Sequence, residues 1–208
     1  KKILEEDKQI LFRKWQKSQM IKNESVLHAF QSVNRELFID PSYQDLSYSD
    51  QPLPIGSGQT ISQPTTVALM LQILNVSPEH RILEIGTGSG YNAALLSKLG
   101  KLVVTIERHK ELVKLARKNL LSAGMEKVKV VEGDGKLGYS TFAPFDRIII
   151  TAATEHVPKN LKDQLTIGGL LVAPIGKTYK CEMQKILKVS QKDFQVSSHG
   201  IFSFVPLI

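Results

Sequence analysis

Between Arg81 and Ala173 the chain alternates short apolar segments with amphipathic ones, and this alternation constrains the possible fold more than any other feature. It is typical of parallel strands joined by helices that cover both faces of a sheet. We predict strands at residues 82–85, 103–106, 128–131, 147–150 and 170–173, and helices at Tyr91–Leu99, 110–123 and 159–165. Apolar segments at 183–189 and 202–205 predict an antiparallel strand pair at the end of the sheet. The expected fold class is therefore α/β, doubly wound, with a mostly parallel sheet.

A helical cap precedes this core in the sequence. Helical spacing over 3–20 and 25–32 predicts two helices, with Ser25 as the N-cap of the second, and a third helix is predicted at 65–74. Periodicity disappears from Pro41 to Pro64, which predicts a long loop. Long loops inside compact domains are usually either functional or disordered. Because this one carries apolar residues of the kind that proteins bury, we expect it to be ordered.

The chain length sets the expected number of domains. With 208 residues the chain supports one substantial core, so we expect a single domain spanning residues 1–208. Within it, we expect residues 1–64 to form the N-terminal helices and the long loop, and residues 65–208 to form the α/β core.

The net charge of +7 raises the question of a nucleic-acid partner. The densest basic stretch, residues 8–22, is interleaved with apolar residues such as Trp15, which favours an amphipathic helix over an RNA-binding surface. Cys181 is the single cysteine and the histidines are isolated, so neither a disulfide nor a metal site is predicted. No run of about 18 apolar residues occurs, so we expect a cytoplasmic protein that does not bind a membrane. We also expect a monomer.

The strongest local motif is the segment E-I-G-T-G-S-G-Y from Glu84 to Tyr91, between the first core strand and its helix. Glycines there allow a tight turn and a close approach of the backbone to a ligand at the carboxyl ends of the strands. The dinucleotide fingerprint G-x-G-x-x-G would need a glycine where Tyr91 stands, which disfavours NAD and FAD. The pattern E-x-G-x-G-x-G instead resembles the first motif of S-adenosylmethionine-dependent methyltransferases.

Two acidic residues follow at the ends of the next two strands. Glu107 lies 21 residues after Gly86, at a position where a carboxylate can accept hydrogen bonds from both hydroxyls of a ribose. The alternative is a surface glutamate paired with a neighbouring cation. Asp134 lies between Gly133 and Gly135, and in similar enzymes this position contacts the adenine. A simple turn residue is the alternative for Asp134.

Longer motifs make the resemblance more specific. The loop P-L-P-I-G-S-G-Q-T-I-S-Q-P at residues 52–64, the glycine motif, A-P-F-D at residues 143–146 and F-V-P-L at residues 204–207 are similar to those of the protein-L-isoaspartate O-methyltransferase family. The similarity extends from about Ser25 to the C-terminus. It implies a fold of the S-adenosylmethionine methyltransferase type with an N-terminal helical cap. It also implies transfer of a methyl group from S-adenosylmethionine to the free α-carboxylate of L-isoaspartyl residues in damaged proteins, with repair through a succinimide.

The resemblance also implies roles for individual residues. Ser62 matches the proposed active-site serine, although a helix N-cap is the alternative interpretation of this residue. A carboxylate is already ionised at neutral pH, so methyl transfer needs alignment rather than a general base. The predicted cofactor-binding residues are Gln59, Thr60, Ile61, Ser62, Glu84, Gly86, Thr87, Gly88, Ser89, Gly90, Glu107, Arg108, Asp134, Gly135 and Thr151.

The chain departs from the family pattern near the expected substrate mouth. The family usually continues the serine loop as S-A-P-H, whereas Gln63 and Thr65 stand here in place of the alanine and histidine, and Glu155 stands where a small residue or proline is usual. Two other functions therefore stay open. An RNA methyltransferase would use the same cofactor site, although residues 150–153 carry no stacking aromatic, and a binding module would hold S-adenosylmethionine or isoaspartyl peptides without turnover.

Overall fold

The computed structural model describes residues 2–178 and 180–207. Its helices are α1 (Lys2–Ser18), α2 (Glu24–Ser32), α3 (Pro64–Leu74), α4 (Tyr91–Leu99), α5 (Lys110–Ser122) and α6 (Lys159–Asp163). Its strands are β1 (Leu53–Gly56), β2 (Gln59–Ile61), β3 (Arg81–Ile85), β4 (Leu102–Glu107), β5 (Lys129–Glu132), β6 (Phe145–Ile150), β7 (Leu165–Lys177), β8 (Lys180–Lys188) and β9 (Phe194–Phe202). Strands β1 and β2 form a separate antiparallel hairpin.

The seven strands β3 to β9 form one sheet in the order β5-β4-β3-β6-β7-β8-β9. The first five strands of this order run parallel, and β8 and β9 are antiparallel additions, so the predicted fold class is confirmed. The chain leaves β3 toward β4 on one side and returns to β6 on the other. This reversal opens a crevice outside the carboxyl ends of β3 and β6, which is where doubly wound sheets bind their ligands.

The central strands are apolar along their whole length because both faces of the sheet are covered. Successive residues of β3, Ile82 and Leu83, belong to two different cores. Ile82 packs in the core that contains residues of α1 to α5, whereas Leu83 packs in the core that contains Leu161 of α6. Burial on both faces explains why the periodic signal of these strands is a continuous apolar run rather than an alternation.

The last strand was predicted in the wrong place. Strand β9 is Phe194–Phe202, and the predicted strand 202–205 overlaps it only at Phe202. The residues of β9 are mostly exposed, so the apolar alternation that marks a half-buried strand is absent from this segment. Val205 instead leaves the sheet and accepts a hydrogen bond from the N–H of Ala153 at 2.7 Å. The end of the chain therefore lies across the carboxyl edge of the sheet.

Other predicted boundaries also shift. The N-cap of α2 is Asn23 rather than Ser25, since the Asn23 side chain accepts a hydrogen bond from the N–H of Val26. The predicted loop from Pro41 to Pro64 contains a 3₁₀ helix at Pro41–Leu46 and the hairpin β1–β2. Helix α6 is shorter than predicted, and Leu165 already belongs to β7. The single-domain assignment of residues 1–208 stays a prediction.

Candidate active site

The glycine motif forms the turn from β3 into α4 at the carboxyl edge of the sheet. Gly86 has a φ of +95°, and a Cβ atom added there would lie 2.5 Å from Oγ1 of Thr151. The Thr151 hydroxyl donates to the carbonyl oxygen of Gly86 at 2.8 Å. Glycine is therefore required at position 86 both for the backbone conformation and for the close approach of the end of β6.

Glu107 ends β4 with its side chain turned toward this glycine turn. One carboxylate oxygen accepts a hydrogen bond from the N–H of Gly88 at 3.0 Å, and the other accepts from the N–H of His109 at 2.9 Å. The residue is only 6% exposed. Each carboxylate oxygen has further acceptor capacity, so the group fits two donors of a ribose as well as its backbone partners.

A second carboxylate, Glu84, lies fully buried beneath the turn. Its oxygens accept hydrogen bonds from Nδ2 of Asn92 at 2.7 Å and from the Thr105 hydroxyl at 2.6 Å. Burial raises the pKa of Glu84 to about 7, against the lowering effect of these two hydrogen bonds and with an added contribution from the charge of Glu107. The Thr105 hydroxyl also lies 2.6 Å from that of Thr87, which links Glu84 to the glycine turn.

Asn92 was not predicted from the sequence, and the structure places it in the site. Because Nδ2 faces Glu84, its Oδ1 is the free end of the amide, and this atom is buried with no hydrogen-bond partner among the described residues. Asn92 also lines a cavity beside the glycine turn. A buried acceptor without a donor is costly, so a ligand that donates a hydrogen bond would be stabilised here.

Two cavities flank Gly86, of about 390 and 460 Å³. The first is lined by the predicted residues Gln59, Gly86, Glu107, Arg108 and Gly135, together with Ile85, Ile106, His109, Ala152, Pro206 and Leu207. The second is lined by the predicted residues Thr60, Ile61, Ser62, Gly86, Thr87, Gly88, Ser89 and Thr151, together with Val67, Met70, Tyr91 and Asn92. Both cavities share Gly86, so an elongated ligand laid across the glycine turn fits the two together.

Three predicted cofactor residues do not appear among the described residues that line these cavities. Glu84 lies under the turn, and Gly90, with a φ of +90°, packs against Ala116 of α5. The exposed carboxylate of Asp134 accepts a hydrogen bond from the N–H of Lys136 and begins the 3₁₀ helix Gly135–Leu137. The turn role considered for Asp134 is thus present, and its contact with an adenine stays a prediction.

Ser62 borders two cavities. It lines the second cavity and also a third one of about 750 Å³, which opens beside the hairpin and is lined by Pro52, Thr60, Ser62, Gln63, Thr66, Thr151, Thr178, Ser203, Phe204 and Val205. The alternative interpretation of Ser62 as a helix cap is wrong, because the N-cap of α3 is Gln63. The first free N–H of that helix, on Thr65, is satisfied by the carboxylate of Asp50 at 3.0 Å.

The C-terminal segment contributes residues to the first cavity that were not predicted as part of the site. Pro206 and Leu207 line the first cavity, held there by a hydrogen bond from the N–H of Leu207 to the carbonyl of Ala153 at 2.7 Å. The motif F-V-P-L at residues 204–207 was the available signal, but it was interpreted as the end of a strand. Its position over the cavity depends on pairing with residue 153.

Metal and membrane features can be stated for the described residues. Across residues 2–178 and 180–207 no group of three or more histidine, cysteine or acidic side chains is arranged to hold a metal ion. Within the same ranges no helix is both long and apolar enough to cross a membrane.

Comparison with known proteins adds the family context. The family model for protein-L-isoaspartate(D-aspartate) O-methyltransferase matches residues 6–208. A protein-L-isoaspartate O-methyltransferase of Methanoculleus marisnigri is 46% identical over 190 residues, covering 90% of this chain and 85% of that protein. The enzyme of the same description from Pyrococcus horikoshii is 41% identical over 211 residues, covering 97% and 96%.

The fold comparison agrees with the sequence comparison. A crystal structure from Plasmodium falciparum, assigned as a protein-L-isoaspartate O-methyltransferase and solved with S-adenosyl-L-homocysteine, superposes with a TM-score of 0.85 at 25% identity. The match covers 95% of this chain and 96% of that one. The similarity therefore includes the N-terminal helices as well as the α/β core.

Proposed function

The chain belongs to the protein-L-isoaspartate(D-aspartate) O-methyltransferase family and is an S-adenosylmethionine-dependent enzyme that methylates isoaspartyl residues, and from this premise we propose how its own residues divide the work. The acceptor is the free α-carboxylate of an L-isoaspartyl residue in a damaged protein. Esterification of that carboxylate initiates repair through a succinimide.

Ser62 carries the proposal for the reacting position, because it borders both the cavity beside the glycine turn and the third cavity. We assign the two cavities around Gly86 to the cofactor and the third cavity to the isoaspartyl peptide. The serine hydroxyl then donates a hydrogen bond to the substrate carboxylate and orients one of its oxygens toward the cofactor side.

The character of the third cavity suits an anionic substrate that needs no base. Its described lining supplies hydroxyl and amide groups, including Ser62, Gln63, Thr66 and Thr151, and no ionisable side chain. A carboxylate with a pKa near 4 is already a nucleophile at neutral pH. When bound, S-adenosylmethionine supplies an electrophilic methyl group on a sulfonium. The residues of the chain therefore serve to align the carboxylate and exclude water, which contributes on the order of 7–11 kcal/mol in well-oriented reactions.

On the cofactor side, Glu107 and Asn92 supply polar contacts to two different parts of the cofactor. We assign the carboxylate of Glu107 to the ribose hydroxyls, since it lines the first cavity and its oxygens retain acceptor capacity. We assign Oδ1 of Asn92 to the α-ammonium group of the methionine part, since Asn92 lines the second cavity and this acceptor is buried without a hydrogen-bond partner among the described residues. Glu84 fixes the orientation of the Asn92 amide and contacts the cofactor only through it.

Two further expectations concern partners and location. We propose that α1 is not a nucleic-acid surface, because two cations of its basic stretch are engaged within the protein. The ammonium of Lys8 donates to the carbonyl of Gln31 at 2.7 Å, and that of Lys14 pairs with Asp50 at 3.2 Å. The monomeric state and the cytoplasmic location stay predictions.

The assignment is tested with cofactor labelled in its methyl group. The protein is expected to label a peptide that contains L-isoaspartate, and to leave unlabelled the same peptide with ordinary aspartate and a structured RNA. A misplacement of about 1 Å costs on the order of a hundredfold in rate, which is why the ordinary aspartate peptide is a strict control. The label is expected to be base-labile, since the ester closes to a succinimide with loss of methanol.

Each contrary outcome has a definite meaning. Equal labelling of the two peptides, or stable label in RNA, would overturn the substrate assignment. Tight binding of S-adenosylhomocysteine with no label in any substrate would instead support a binding module without turnover.

A further inference from the structure

The segment that carries Ser62 is closed at its base by a pair of hydrogen bonds. Asp50 precedes the hairpin β1–β2 and Thr65 follows it. The hydroxyl of Thr65 donates to Oδ2 of Asp50 at 2.6 Å, and the N–H of Thr65 donates to Oδ1 at 3.0 Å. Residues 51–64, with the hairpin and Ser62, therefore form a loop whose two ends are joined through one carboxylate.

The base of this loop is attached to the N-terminal helix. The indole N–H of Trp15, on α1, donates to the hydroxyl oxygen of Thr65 at 2.8 Å, although the two residues lie 50 positions apart in the sequence. Trp15 is fully buried and packs against Phe12 and Phe30. We call Trp15, Asp50 and Thr65 the loop clamp.

The loop clamp is a directional chain in which each polar group has one defined role. The Trp15 N–H donates a hydrogen bond to Thr65, and the hydroxyl of Thr65 donates a hydrogen bond to Asp50. Although burial raises the pKa of Asp50, the hydrogen bonds from Thr65 and the charge of Lys14 together lower it below its usual value. Asp50 is therefore ionised at neutral pH, and charge-assisted hydrogen bonds of this kind are stronger than neutral ones.

Thr65 does not itself face the proposed substrate. The neighbouring Gln63 and Thr66 line the third cavity, whereas the hydroxyl of Thr65 points to α1. The hydroxyl thus acts on the loop from outside the cavities, which excludes a direct contact role for this side chain in the present arrangement.

From this geometry we propose that the loop clamp positions Ser62 for methyl transfer, so that Trp15 of the N-terminal helix is a positioning residue of the active site. The proposal rests on the role assigned to Ser62 above. Ser62 lies only three positions before Thr65, whose N–H is fixed by Asp50, so a shift of the clamp moves the serine relative to the cofactor cavity. Alignment is the main contribution of the enzyme in this reaction, and small displacements are therefore costly.

Steady-state kinetics with an isoaspartyl peptide tests the proposal. Trp15→Phe removes the indole N–H together with part of the buried ring. Thr65→Val removes the hydroxyl, with its bonds to Trp15 and Asp50, but keeps the size of the side chain. Each is expected to lower kcat by about tenfold, a fraction of the effect of a 1 Å misplacement. Thr65→Ser keeps the hydroxyl and is expected to stay within about threefold of the wild type on the same scale. Dissociation constants for S-adenosylhomocysteine, from calorimetry, are expected to change far less than kcat because the glycine turn is untouched.

A double-mutant cycle separates positioning from general loosening. Trp15→Phe combined with Thr65→Val is expected to lower kcat no further than Thr65→Val alone, since Thr65→Val already removes the bond between Trp15 and Thr65. Phe12→Leu is the matched control: it disturbs the same core one turn away on α1 and leaves the Trp15 bond in place. It is expected to lower the melting temperature without lowering kcat of the folded enzyme. Additive losses, or an equal loss of kcat in Phe12→Leu, would overturn the positioning role.

A readout without turnover keeps this proposal distinct from the proposed function. Amide hydrogen exchange in residues 53–61 is expected to accelerate in Trp15→Phe and Thr65→Val, while exchange in α4 stays as in the wild type. Unchanged exchange in the hairpin would overturn the loop clamp even if methyl transfer is confirmed. Accelerated exchange in a protein that labels no isoaspartyl peptide would confirm the clamp and reject the function.

Discussion

Glu107 accepts a hydrogen bond from the backbone N–H of Gly88 at 3.0 Å, so a carboxylate at the end of β4 positions the glycine turn that follows β3. The same carboxylate accepts from the N–H of His109, which is the N-cap residue of α5. Glu107, which is expected to bind the cofactor ribose, thus also holds the backbone around the cofactor cavity in place. From the sequence alone we would expect its loss to leave stability unchanged, and these backbone contacts predict otherwise.

Glu107→Ala is therefore expected to weaken binding of S-adenosylhomocysteine by about 1.5–3 kcal/mol and also to destabilise the ligand-free protein, because the N–H groups of Gly88 and His109 lose their acceptor. Titration calorimetry and thermal unfolding without ligand measure the two effects. Glu132→Ala is the matched control, since Glu132 is the register partner of Glu107 on β5 and is exposed. Loss of stability with unchanged affinity would show that the carboxylate does not contact the ribose.

Asn92→Ala is expected to weaken S-adenosylhomocysteine by roughly tenfold and to leave 5′-methylthioadenosine unaffected, since that analogue lacks the amino-acid group assigned to Oδ1. The comparison uses one protein and two ligands, so a general distortion of the cavity would weaken both. Asn160→Ala, at an exposed position of α6, serves as the control variant. Equal losses for the two ligands would remove the assignment of Asn92 to the ammonium group.

Glu84 predicts a pH dependence of stability. Its pKa is raised from 4.5 to about 7, so between these values the folded protein holds a proton that the unfolded chain has lost. Stability therefore falls as pH rises through this window, by an amount on the order of 3 kcal/mol for this group. Urea unfolding at pH 5 and pH 7.5 is expected to show a steeper decline for the wild type than for Glu84→Gln. Parallel declines would show that Glu84 does not carry this titration.

Ser62→Ala is expected to lower kcat by at least tenfold, the scale of a lost charge-assisted hydrogen bond to the substrate carboxylate. The melting temperature is expected to stay the same, because Ser62 does not cap α3. Ser57→Ala, at the exposed tip of the same hairpin, is the control. Turnover equal to the wild type would leave the loop without its assigned catalytic group.

Several features of this protein were determined by short stretches of sequence. The core strands were predicted because apolar runs such as 148–150 are bounded by helical periodicity, and strand β6 contains that run. The position of the glycine turn followed from residues 86–90, where the three alternating glycines adopt positive φ angles. Such features depend on local sterics and on burial of whole segments, which neighbouring residues encode by themselves.

Other features were decided only by contacts between distant segments. The sequence is compatible with Ser62 as a helix cap, but in the structure Gln63 is the N-cap of α3 and Asp50 accepts the hydrogen bond from the N–H of Thr65. The C-terminal segment became a wall of the cofactor cavity through its pairing with Ala153, and Trp15 became part of the loop clamp through a partner 50 residues away. A side chain forms a hydrogen bond only with a polar group that packing brings within about 3 Å of it. Sequence periodicity locates elements but carries no record of which distant polar groups will meet when those elements pack.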